Sequence, residues 1–149
     1  MALIVHKYGG TSVGSVDRIK NVARRLEKWQ KAGHQLVVVV SAMSGETNRL
    51  IALAKEVQSN PDPRELDVVA STGEQVTIGL LAMALKERGL KAKSYTGPQV
   101  HVLTDSAFTK ARILEIDEKK IRQDLQQGAI VIVAGFQGRG ENGDLTTIG

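Results

Sequence analysis

Lys7-Tyr8-Gly9-Gly10-Thr11-Ser12 places a cation, two residues without a Cβ and two hydroxyls within six positions. Paired glycines let an anion approach backbone N–H groups closely and permit positive φ. Lys7 adds charge at the end of the preceding run, and Thr11 and Ser12 add donors. The chemistry suits phosphate oxygens. The spacing is neither the Walker A pattern nor the Gly-x-Gly-x-x-Gly dinucleotide turn.

A site of this kind needs elements that aim it. The apolar Leu3-Ile4-Val5 predicts a strand before the glycines. After them, Val16, Ile19, Val22, Ala23, Leu26 and Trp29 recur at helical spacing, with Gly33 as the terminator. Leu36–Val40 and Ala129–Ala134 are unbroken aliphatic runs, as expected of strands buried on both faces of a parallel sheet. Between them, helices are predicted around Leu50–Val57, from Pro63 through Leu66, Val69 and Ala70, and through Val76, Leu80, Leu81, Met83, Ala84 and Leu85. Shorter strands are expected at 92–96, 100–104 and 113–116. A helix capped by Asp117 should bury Ile121 and Leu125, and a hairpin is expected at Asn142-Gly143. Alternating strands and helices predict an α/β sandwich around a mostly parallel sheet. Small-residue loops at 9–10, 41–45 and 135–140 all follow strands, where ligands gather in such folds.

Composition narrows the function classes. A chain of 149 residues is one domain at most, and aromatics at 3% leave the core to aliphatic residues. Twenty basic against sixteen acidic residues give +4, too scattered and too poor in aromatics for nucleic-acid binding. No apolar run approaches the ~20 residues of a membrane span, and His6 and Lys7 come too early for a signal peptide. The expectation is a cytoplasmic protein that binds neither nucleic acid nor membrane. Cysteine is absent, and His6, His34 and His101 show no metal-ligand spacing, so no metal site is expected in the chain.

Several polar residues have plain structural readings. Ser41 can simply end a strand, and Thr47 can cap a helix. Thr72-Gly73-Glu74-Gln75 reads as a capping box, with Glu74 favoured by the helix dipole. Arg139 reads as a surface residue and Trp29 as core.

Four blocks nevertheless carry a resemblance in order and spacing. Lys7-Tyr8-Gly9-Gly10-Thr11-Ser12-Val13-Gly14 resembles the N-terminal signature of aspartate kinases, within the amino-acid kinase superfamily. Val38-Val39-Val40-Ser41-Ala42-Met43-Ser44-Gly45-Glu46-Thr47-Asn48, Ser71-Thr72-Gly73-Glu74 and Val133-Ala134-Gly135-Phe136-Gln137-Gly138 agree with it. The resemblance implies a three-layer α/β/α kinase domain and transfer of the ATP γ-phosphoryl group to the side-chain carboxylate of L-aspartate, in the biosynthesis of lysine, threonine and methionine. It assigns Lys7, Tyr8, Gly9, Gly10 and Ser41 to the ATP phosphates, with Lys7 catalytic, and Thr47 and Glu74 to aspartate, Glu74 facing the ammonium. Mg²⁺ would arrive with ATP. A homo-oligomer is expected in the parent protein.

The family continues past Gly149 with a further glycine-rich loop, the nucleotide-binding half and ACT regulatory domains. The chain is therefore expected to be the N-terminal, substrate-binding part, with little turnover alone. The alternatives are a kinase acting on acetylglutamate or glutamate, or a non-catalytic fragment that binds ligand or pairs with a partner chain.

Overall fold

The structure, a computed structural model, describes every residue except Met1, His101, Asp117 and Gly149; the side chains of Glu115 and Ile116 are also outside the description. The expected cap at Asp117 and the reading of His101 thus lie outside the described residues.

Four parallel strands form the main sheet in the order β1 (Leu3–Tyr8), β2 (Gln35–Val40), β6 (Ile130–Ala134), β3 (Ala92–Tyr95). Helices α1 (Val16–Lys31) and α4 (Thr72–Glu87) cover one face, where Ile19, Val22 and Leu26 meet Ile78, Leu81 and Leu85 above Leu36, Val38 and Val40. Helix α5 (Lys119–Gln126) covers the other, seating Ile121 and Leu125 against Val131, Val133 and Tyr95. The Tyr95 hydroxyl hydrogen-bonds the Asp124 carboxylate there. This is the expected three-layer α/β/α arrangement.

β6 is buried along its whole length, as its aliphatic run predicts. β2 departs from that expectation: its side chains alternate between buried and half-buried because α5 lies over β6. The same face of β1 is barer still, with Val5 65% exposed.

Helix starts follow local chemistry. Ser15 Oγ accepts from Arg18 N at 3.2 Å to open α1, and Gly33 leaves it at φ +95°. Asp62 caps α3 (Pro63–Ala70) by accepting from Glu65 N at 3.1 Å, with Pro63 at the first position. The capping box at 72–75 does not form. Ser71 continues from α3 in helical geometry, and Ser71 Oγ and Thr72 Oγ1 donate back to Val68 O and Val69 O at 3.2 and 2.7 Å. α3 and α4 thus make a nearly continuous helical stretch, Pro63–Glu87. By length and composition it passes for a membrane span, yet half of its apolar window is buried inside this fold.

Three further expectations are corrected. Trp29 is 41% exposed, its ring meeting those of His6 and His34 at the rim of the core. Val76 and Met83 face outward, because the inner side of α4 is Gly73, Glu74, Thr77, Ile78, Leu81, Ala82 and Leu85. α3 buries Asp67 beside Ala70, whereas Leu66 and Val69 are only half-buried.

A second sheet, β5-β4-β7-β8, is mixed rather than parallel. It comprises β4 (Val102–Thr104), β5 (Ile113–Ile116), β7 (Gln137–Arg139) and β8 (Leu145–Thr147); Val100, expected to open the strand at 100–104, belongs to a 3₁₀ turn, Pro98–Val100, instead. The β7–β8 hairpin turns at Asn142-Gly143, as expected, with Gly143 at φ +81°. Asp67 fixes it to α3, accepting from Thr147 N at 2.9 Å, Thr147 Oγ1 at 2.6 Å and Thr109 N at 3.0 Å.

Candidate functional site

β1, β2 and β6 are adjacent and parallel, so the loops after them meet at one end of the sheet. Between them lies a cleft of about 670 Å³, lined by Lys7, Gly10, Ser41, Thr47, Glu74 and Phe136 among others. Five of the seven residues expected at a site, Lys7, Gly10, Ser41, Thr47 and Glu74, come together there.

Gly10 acts through close approach rather than unusual φ. A Cβ on it would lie 3.0 Å from Ala42 O and 3.3 Å from Ser44 Cα. Ser44 N donates to Gly10 O at 3.2 Å and Ser41 N to Tyr8 O at 3.2 Å, so the first two loops are stitched together. Gly9 holds the turn, accepting from Ser12 N at 3.0 Å, but does not line the cleft. Tyr8 points to the opposite face of β1, where its buried ring stacks on His6 and its hydroxyl lies 3.3 Å from His6 Nδ1. Strand alternation sends Lys7 to the cleft and Tyr8 to the core, so Tyr8 has only main-chain atoms to offer.

α2 (Glu46–Val57) starts at the cleft. Its N-cap is Gly45 at φ +80°, and no side chain caps the helix, Thr47 included. Thr47 and Asn48 occupy the first turn and line the cleft, where the positive end of the helix dipole favours an anion. Glu46 is held aside by Arg49, with Nη2 2.5 Å from Oε1.

Glu74 also lines the cleft. A Cβ on Gly73 would fall 2.8 Å from Ala42 Cβ, so this glycine lets the start of α4 press on the 41–42 loop. The next residue is thereby driven into the cleft wall: Glu74 is only 2% exposed, and its Oε2 has no hydrogen-bond partner among the described residues. Burial pushes its carboxyl up to about 7, opposed only by its own backbone N–H. A buried carboxylate without a counter-charge is costly, and its natural complement is a ligand ammonium.

Phe136, which the motif contained but side-chain chemistry did not single out, lines the cleft in a left-handed conformation at φ +68°. Its carbonyl accepts from Ile148 N at 2.9 Å, tying the β6–β7 turn to the end of β8. Gln137 braces the turn from behind, donating to Ser71 O at 3.1 Å and accepting from Gly97 N at 3.0 Å. The signal for both was the Gly-x-x-Gly spacing of 135–138. Arg139 lies outside the cleft lining, near Gly143 of the hairpin. Among the described residues no cluster of His, Asp or Glu is arranged to hold a metal ion.

The cleft thus offers a cation, a helix start without a side-chain cap and a buried carboxyl group. The chain is 64% identical over all its 149 residues to an aspartate kinase of Pseudomonas putida, and 52% identical to aspartokinase 2 of Bacillus subtilis. It spans 36% of the length of each. Aspartate kinase from Synechocystis superposes with a TM-score of 0.82 at 43% identity, covering 99% of this chain and 24% of that one. Escherichia coli aspartokinase III, in complex with aspartate and ADP, shares the fold with a TM-score of 0.85 at 24% identity, over all of this chain and 44% of that one. Residues 2–149 match the amino acid kinase family, and with the parallel sheet and its converging loops this places the chain in that family.

Proposed function

We propose that this chain supplies the amino-acid-binding part of an aspartate kinase site, which transfers the ATP γ-phosphoryl group to the side-chain carboxylate of L-aspartate and yields 4-phospho-L-aspartate. The observation that carries this reading is the orphaned Glu74 carboxyl group lining a cleft that also holds Lys7 and the α2 start. An amino acid with a free ammonium and an additional anionic group is complementary to both kinds of group. The names of the relatives point the same way.

The chemistry fits these residues. An aspartate side chain, with an ordinary pKa of about 3.9, is already ionised and needs no general base. Its oxygen attacks the γ-phosphorus while the bond to the β,γ-bridging oxygen breaks and ADP departs. The obstacle is repulsion between the carboxylate and the triphosphate. Lys7 neutralises charge where both meet, Gly10 keeps the approach open, and Ser41 donates at the same edge. Tyr8 and Gly9 contribute main-chain shape. Thr47 and Glu74 hold aspartate, Glu74 by its ammonium. Mg²⁺ would enter on ATP. A cytoplasmic, homo-oligomeric parent enzyme in amino-acid biosynthesis completes the reading.

Calorimetry comparing L-aspartate with N-acetylglutamate tests the substrate. Aspartate alone should bind measurably, whereas preference for N-acetylglutamate would move the chain to a relative acting on acylated substrates. A coupled ADP-release assay on the chain alone should show no turnover, and robust turnover would refute the division of labour.

A second reading is favoured by the bare face of β1, where Leu3 and Val5 are exposed on an edge strand. Such a face invites pairing with another chain. Light scattering that finds a strict monomer at high concentration would remove it.

A further inference from the structure

Resting on the reading of the cleft as an amino-acid site, we propose that the substrate ammonium enters in exchange for a proton: Glu74 is a carboxylic acid in the empty cleft and a carboxylate once the ammonium is bound. Glu74 is almost wholly removed from solvent, with one oxygen unpartnered among the described residues. No other charge compensates it. From β1, Lys7 lines the cleft but is not among the influences on the Glu74 carboxyl. The 41–45 loop brings only neutral residues. From α2, Glu46 approaches Gly73, its Cγ 3.7 Å from where a Cβ would stand, and its carboxylate is occupied by Arg49. From α3, Asp67 is occupied by Thr109 and Thr147. The β6–β7 turn and β8 present Phe136 and Ile148, both uncharged.

Below about pH 7 a carboxyl in such a place keeps its proton until a cation replaces it. The exchange balances as Glu74–COOH plus R–NH₃⁺ giving Glu74–COO⁻ paired with R–NH₃⁺, with H⁺ released to solvent. With the empty-site carboxyl at about 7, aspartate should bind about tenfold more weakly at pH 6 than at pH 8. N-acylated amino acids carry no ammonium and should release no proton.

The test is a carboxyl titration by NMR of the chain labelled with ¹³C at glutamate Cδ, the Glu74 signal identified by its disappearance in Glu74→Gln or Glu74→Asp. The empty chain should titrate near 7, and saturating L-aspartate should move the midpoint below 5, while N-acetylaspartate leaves it in place. A midpoint below 5 in the empty chain would overturn the proton exchange without touching the aspartate site. So would aspartate shifting the Ser41 and Thr47 amides but not the Glu74 midpoint. If no resonance of the cleft responds to aspartate, the exchange and the proposed function fail together.

Discussion

Asp67 and Glu74 are two buried carboxylates seven positions apart on one helical stretch, and they have opposite fates. Asp67 accepts from two backbone N–H groups and one hydroxyl, all from segments far along the chain. Glu74 has an oxygen with no donor among the described residues and faces a cleft. Full satisfaction makes the first a structural rivet, joining α3 to β8. Missing satisfaction leaves the second an unused acceptor beside open space, the feature on which the proposed aspartate site rests. Burial alone does not mark a site; burial without a partner, beside open space, does.

The contrast breaks most visibly at Asp67. Asp67→Ala should destabilise the chain by roughly 3–5 kcal/mol, because two buried donors of Thr147 and the part-buried Thr109 N–H lose their acceptor together. Urea denaturation would measure it, and a loss within error would remove the rivet.

Glu74→Gln should do the reverse in the empty chain, stabilising it by about 1–3 kcal/mol at pH 8. The folded carboxyl holds its proton more tightly than the unfolded one, whose ordinary value is 4.5. Its favourable contribution is therefore complete below 4.5 and lost as pH rises to about 7. The advantage of Glu74→Gln should grow across that window and be flat above it, as thermal melts at several pH values would show. A constant difference from pH 4 to pH 8 would contradict the account. Such a gain, set against lost binding, is the usual relation between stability and function at a site.

The smallest effect belongs to the periphery of the rivet. Thr147→Val removes one of the three donors to Asp67 while keeping a β-branched side chain in β8, and should cost about 1 kcal/mol. A cost equal to that of Asp67→Ala would mean that the hydroxyl, not the backbone pairing, carries the contact.

Much of this was legible in the residues. β6, Pro63 at the start of α3, the Asn142-Gly143 turn and the convergence of loops after parallel strands follow from periodicity and local chemistry. The burial of Asp67 and Glu74 was not. Apolar periodicity finds the greasy stripe of a helix, and the inner face of α3 and α4 mixes Asp67, Glu74 and Thr77 with small residues, so Val76 and Met83 were misplaced inward. The capping box at 72–75 was a sound local reading that lost to continuity: Ser71 stays helical, and its hydroxyl and that of Thr72 turn back to α3. The pieces of the second sheet, β4, β5 and the hairpin turn, were expected, but strands of three or four residues show too little alternation to reveal that they form a separate mixed sheet. Trp29 fitted the α1 stripe by spacing but sits where the sheet edge ends, against His6 and His34.

The most direct measurement is a calorimetric titration of L-aspartate into the chain and into its Glu74→Gln variant at pH 8. The account predicts saturable one-to-one binding that weakens by about a hundredfold when the carboxylate is removed, the loss expected for a buried hydrogen-bonded charge pair. Indistinguishable isotherms for the two proteins would contradict it.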